Sequence, residues 1–217
     1  MIAASPHMIE YFKRLEEQVK TIYSIAEKAR AMGHDPELFP EIPMAGELAE
    51  RVEKLVGPPG VAEEIKRLER EMPREEIALK IAEMIVDGKF GRFSPQKTAE
   101  QAVRTALAVL TEGVVVAPLE GIPELRIREN PDGTKHLAIY FAGPIRAAGG
   151  TAAALSILAG DFVRRKMYLD PYRATEKEVE RFVEEIDLYR TFVAPGQYTP
   201  PAEEIRLAVA NIPVEVT

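Results

Sequence analysis

Cysteine is absent from all 217 residues, and so is tryptophan. Without cysteine the chain holds no disulfide and no thiolate-ligated zinc or iron–sulfur site. Histidine is scarce: His7, His34 and His136 lie far apart and form no metal-ligand spacing. Positive charge is not in excess either. The net charge is −7, whereas a free-standing nucleic-acid binder is usually basic. No apolar run reaches the roughly 18–20 residues of a membrane helix. The first residues lack the basic start and long apolar stretch of a secretory signal. The expected compartment is therefore the cytoplasm, with no membrane partner.

Aspartate is also sparse, with six residues. Two-metal phosphoryl transfer needs carboxylates that converge on one pocket. Asp35 and Asp170 precede prolines, and Asp87 and Asp132 precede glycines, which is turn chemistry. Asp161 and Asp187 fall in expected helices without an acidic partner at metal-ligand spacing. The pairs Glu63-Glu64, Glu75-Glu76 and Glu203-Glu204 fall in first helical turns, where they complement the helix dipole. The chain has no GxxxxGK[ST] phosphate loop, no GxGxxG after a strand, no HExxH and no GxSxG elbow. Ser24, Ser94 and Ser156 read as helix caps or helical filler, and His136 as a structural or exposed strand residue. No catalytic residue and no metal site are expected in this chain.

What the sequence has in quantity is helical periodicity. Glu and Arg are plentiful and the connections are rich in proline, a composition that leans toward a thermophile. Ser5-Pro6 is a cap followed by proline at the first helical position. Phe12, Leu15, Val19, Ile22 and Tyr23 then form one face of a long helix that Gly33 ends. That stripe fits packing on other helices, or docking on another subunit. Asp35 to Pro43 is a proline-rich connection. Helices are expected near Met44–Val56, Val61–Glu71, Pro73–Val86 and, after the second Ser-Pro at 94–95, to about Thr111.

The texture changes at Gly113. Val114 to Ala117 reads as a short β-branched strand. Glu124–Arg128 and Lys135–Phe141 flank the Asn130-Pro131-Asp132-Gly133 turn as a hairpin. Helices follow over Gly149–Met167, Thr175–Tyr189 (opened by a Thr-x-x-Glu capping box) and Ala202–Ala210. Residues 212–216 start a strand, and the chain stops inside it, as though cut from something longer. The expected fold class is α+β, mainly helical. A helical bundle over residues 1–112 is followed by a small sheet packed with helices over 113–217, truncated at its C-terminal end.

Charge is uneven: residues 1–120 carry a net −5, residues 121–170 a net +2, and residues 171–217 a net −4. The positive stretch holds the run Ala142-Gly143-Pro144-Ile145-Arg146-Ala147-Ala148-Gly149-Gly150-Thr151, in the order strand, glycine-rich turn, helix start. Free N–H groups at a helix N-terminus attract anions, and Arg146 can add a charge-assisted fork. Arg164, Arg165 and Lys166 close the same helix. Contact with a nucleic-acid backbone is one reading of Arg146, Gly149, Gly150, Thr151, Arg164, Arg165 and Lys166. Close packing of small residues is the other, and the pattern alone favours it.

The run from Tyr140 to Ser156 closely resembles the N-terminal region of the large subunit of archaeal family-D DNA polymerases. The segments Met8-Ile9-Glu10-Tyr11-Phe12, Gly88-Lys89-Phe90-Gly91 and Tyr189-Arg190 are similar to that family as well, so the likeness spans the whole chain. The resemblance implies a heterodimeric replicative polymerase. Its large subunit synthesises DNA with Mg²⁺ on a double-psi β-barrel core, and its small subunit proofreads as a 3′–5′ exonuclease. It places the catalytic carboxylates beyond Thr217, so none is carried onto these residues. The implied partners are the small exonuclease subunit, the remainder of the large subunit and primer–template DNA. The amphipathic stripe of Met8–Ala29 and the lack of a catalytic constellation point to a structural or assembly module, with accessory DNA contact through the basic stretch Arg146 to Lys166 as the alternative.

Overall fold

A computed structural model describes residues 4–34, 45–113, 115–147, 149–193 and 198–217, without the side chains of Arg146 and Ala147. The chain divides into two compact units, residues 1–44 and 45–217.

The first unit contains α1, Pro6–Ala31. Ser5 caps it by accepting from the Met8 N–H, proline stands in its first turn, and Gly33 follows it with φ +77°. These are the start and stop signals of the sequence at work. The connection expected over 35–43 lies outside the described residues.

The second unit is built from α2 (Leu48–Leu55), α3 (Val61–Leu68), α4 (Arg74–Val86), α5 (Pro95–Thr111), β1 (Glu124–Glu129), β2 (Lys135–Tyr140), α6 (Pro144–Ala147), α7 (Gly150–Lys166), α8 (Glu176–Phe192), α9 (Ala202–Asn211) and β3 (Glu215–Val216). The mainly helical α+β class is as the periodicities imply. α5 is its spine. Ten of its seventeen residues are buried, from Thr98 to Leu110, and it packs on α4, α7, α2 and β1. Ile81 and Ile85 of α4, Val103 and Leu107 of α5, and Leu137 and Ile139 of β2 are fully buried in one continuous core. The helical part expected before residue 112 and the α+β part expected after it thus share this core from residue 45 onward.

β1 and β2 form the expected hairpin, Leu125 opposite Ile139 and Arg128 opposite His136. β3 joins β2 in parallel, with Ala138 opposite Glu215, so the strand at the end of the chain has a partner. α7 lies close on this sheet because its inner face is small: Ala152, Ser156, Ala159 and Gly160 are buried. A β-carbon on Gly160 would come 2.7 Å from Ile139 Cδ1.

One element differs from expectation. The strand expected over Val114–Ala117 is instead a π-helical turn, Val116–Glu120. Val114 itself lies outside the described residues. Among the described residues no strand lies beside residues 116–117, and Pro118 has no N–H to give a ladder. The turn is closed by the Glu120 N–H to the Val115 carbonyl and the Gly121 N–H to the Val116 carbonyl. Gly121 is required here, since a β-carbon would meet the Ala117 and Val116 carbonyl oxygens at 2.8 and 2.9 Å. β-Branched residues favour a strand only where another strand is available; without one, helical closure satisfies the backbone.

Candidate nucleic-acid and docking surfaces

The glycine-rich run builds a helix–turn–helix step off the end of β2. α6 is a single turn that sequence reasoning did not anticipate. Gly149 then has φ +91° and ψ 162°, a backbone conformation that glycine alone adopts readily. It is also the N-cap of α7 and offers no side chain, so α7 begins without a side-chain cap. Thr151 is exposed and does not supply one. Added β-carbons at Gly149 and Gly150 would meet nothing within 4 Å. Close packing therefore accounts for Gly160 and its small neighbours but not for Gly149 and Gly150. Arg146 has its backbone in α6; its side chain lies outside the description.

The other candidate cations lie where the sequence puts them, in the last turn of α7. Arg164, Arg165 and Lys166 are at the opposite end of α7, about 20–25 Å away at 1.5 Å per residue. Arg164 is buried. Its Nε and Nη2 donate to Asp161 Oδ1 at 2.9 and 2.5 Å, and its Nη1 donates to the Leu169 carbonyl at 2.7 Å. Arg165 is largely exposed and pairs with Asp161 Oδ2 at 2.8 Å. Lys166 pairs with Glu83 of α4 and lies over the Phe162 ring. Hydrogen bonds from Lys166 and Lys80 hold the Glu83 carboxyl below its ordinary pKa, and Glu83 raises Lys166 in return. Tyr168 follows at φ +58°, where a helix end usually carries glycine, with its ring fully in solvent.

A second polar cluster was missed as a cluster, although its members are visible in the sequence. His136 is 3% exposed; its Nε2 lies 2.9 Å from Glu215 Oε2. A carboxylate only accepts, so Nε2 donates, and buried Nδ1 has no partner among the described residues. Arg128 Nη1 donates to Glu215 Oε1 at 2.5 Å. The Tyr172 ring stands 5.1 Å from the imidazole. Burial, reinforced by Glu178 and Glu215, pushes its phenol pKa well up. The cluster joins β1, β2 and β3. Nothing in the sequence signals it, because Glu215 pairs with residues 79 and 87 positions earlier.

Arg104 is a further half-hidden determinant. Its guanidinium donates to the Ile122 and Pro123 carbonyls at 2.7 Å and pairs with Glu100, which fixes the entry to β1 on α5. Among the described residues no three His, Asp or Glu side chains are placed to hold a metal ion.

The docking stripe expected on α1 is exposed. α1 buries none of its residues; Phe12 and Ile22 are 58% and 65% accessible, Leu15 and Val19 are also exposed, and Tyr23 is half-buried. No described helix is long and apolar enough to cross a membrane.

Comparison with known proteins gives these surfaces a setting. Residues 10–217 match the family model described as DNA polymerase II large subunit DP2, N-terminal. A DNA polymerase II large subunit from Methanococcus vannielii is 56% identical over 216 residues, which is 100% of this chain and 19% of that protein. The large subunit from Pyrococcus horikoshii is 57% identical over 213 residues, 97% of this chain and 15% of that protein. That from Thermococcus kodakarensis is 54% identical over 216 residues, 98% of this chain and 12% of that protein. The chain thus spans a fifth or less of the length of these relatives.

Proposed function

The chain belongs to the family of N-terminal regions of DNA polymerase II large subunits, and from that premise we propose that it is an assembly module of such a subunit. The observation that carries this reading is α1: a 26-residue helix that buries no residue and leaves Phe12, Leu15, Val19 and Ile22 in water. An apolar stripe of that length on a soluble protein marks an interaction surface. In this reading α1 docks on the small exonuclease subunit or on the remainder of the large subunit. Polymerisation with Mg²⁺ then belongs to residues outside this chain, and proofreading to the partner subunit. The cytoplasm is the matching compartment.

The test is co-purification of the full-length large subunit with the small subunit. Phe12→Asp with Ile22→Asp places two charges in the stripe and is expected to reduce recovery of the assembled polymerase at least tenfold, or to expose α1 to proteolysis within the large subunit. Unchanged assembly and unchanged proteolysis would sink the reading.

A second reading, contact with the DNA backbone, has one observation in its favour: the uncapped, glycine-built start of α7 at Gly149–Thr151. Fluorescence anisotropy of labelled primer–template at two salt concentrations tests it. Backbone contact gives an affinity that falls by about 0.9 log units per log unit of salt for each phosphate neutralised. No binding at either salt removes this reading.

A further inference from the structure

The hairpin of α8 and α9 contributes least to the core of residues 45–217. α8 buries none of its residues and α9 buries Ile205. The two helices close on each other: Val183 and Ile186 share a cleft with Pro201 and Ile205, and Arg206 forks to Glu180 at 2.6 and 2.9 Å. The end of α8 is different. Leu188, Phe192 and Val193 are 53%, 79% and 66% exposed. Leu188 and Phe192 are one helical turn apart and so share a face. Beside them Arg190 Nη2 and Asp187 Oδ1 pair at 2.7 Å within the helix. The tip therefore presents apolar side chains with no surplus positive charge, which suits an apolar protein surface and not a phosphate backbone.

Three side chains make a small patch. A stable interface between free proteins buries about 800 Å² on each side, more than such a tip supplies. A surface on the same polypeptide meets it at an effective concentration in the millimolar range, where a small apolar contact suffices. The relatives leave more than four-fifths of their length outside the match. We infer that the tip of α8, formed by Leu188, Phe192 and Val193, docks on the remainder of the same large-subunit polypeptide. This rests on the assembly reading above but uses a different surface from α1.

Replacing Phe192 with photoreactive benzoylphenylalanine in the full-length large subunit, within the assembled polymerase, tests it. Irradiation is expected to give an intramolecular crosslink to a peptide beyond residue 217, identified by mass spectrometry. The same probe at Lys177, about 22 Å away in the first turn of α8, is expected to give at least tenfold less of that product. Crosslinks confined to residues 1–217, crosslinks to a second chain or to DNA, or no crosslink would each overturn the inference. A probe at Phe12 in parallel reads the α1 surface, so either surface can fail without the other.

Discussion

Arg164→Ala is expected to destabilise the protein by about 3 kcal/mol, because it removes one partner of a buried ion pair and strips the Leu169 carbonyl of its donor. The 3–5 kcal/mol typical of such a loss is discounted toward its lower end, since Asp161 is not fully enclosed and keeps Arg165. For a chain of this size the thermal midpoint should fall roughly 6–12 °C. Arg165→Ala removes the same charge one residue along, from a side chain 70% exposed, and should change stability by no more than about 0.5 kcal/mol. The contrast between neighbours is the measurement, by thermal unfolding followed at 222 nm. Equal effects would show that burial does not distinguish the two arginines. The same pair informs the DNA reading. Arg164 serves the fold, so of the two arginines only Arg165 can report DNA contact cleanly; a salt slope unchanged in Arg165→Ala removes it from any DNA path.

Glu215→Ala should cost about 2–4 kcal/mol, since it leaves His136 buried without its acceptor and Arg128 without its carboxylate. The damage lies mainly in the orphaned partners. Adding His136→Leu to Glu215→Ala should therefore cost less than the sum of the two single changes, with a coupling of about 1–3 kcal/mol. Denaturant unfolding of the two single variants and the double variant measures this. Strict additivity would mean that the pair does not hold β3 to β2. Loss of the transition in Glu215→Ala with its recovery in the double variant would be the strongest form of the expected result.

Much of the fold could be read from the chain because its signals are local. Ser5-Pro6, Ser94-Pro95 and the Thr175–Glu178 capping box all start helices where the sequence places them. The Asn130–Gly133 turn sets the hairpin, and Gly33 follows the end of α1. These are contests within one turn of backbone, decided by which nearby group satisfies the exposed N–H and carbonyl groups. The resemblance carried by Tyr140–Ser156 likewise needed no coordinates, and the family match bears it out.

Tertiary structure decided the outcomes that depend on distant residues. Val114–Ala117 has the composition of a strand, yet with no described strand beside it the described part closes as a π-turn against α5. Lys166 meets Glu83 of α4, 83 positions earlier, whereas Asp161 engages Arg164 and Arg165 within one turn of α7. His136 and Glu215 become partners because β3 returns to β2 after α7, α8 and α9. Sequence fixes what the backbone does over a few residues, where the competing free energies are local. Which charges meet, and which apolar faces stay in water, follows from packing among elements tens of residues apart.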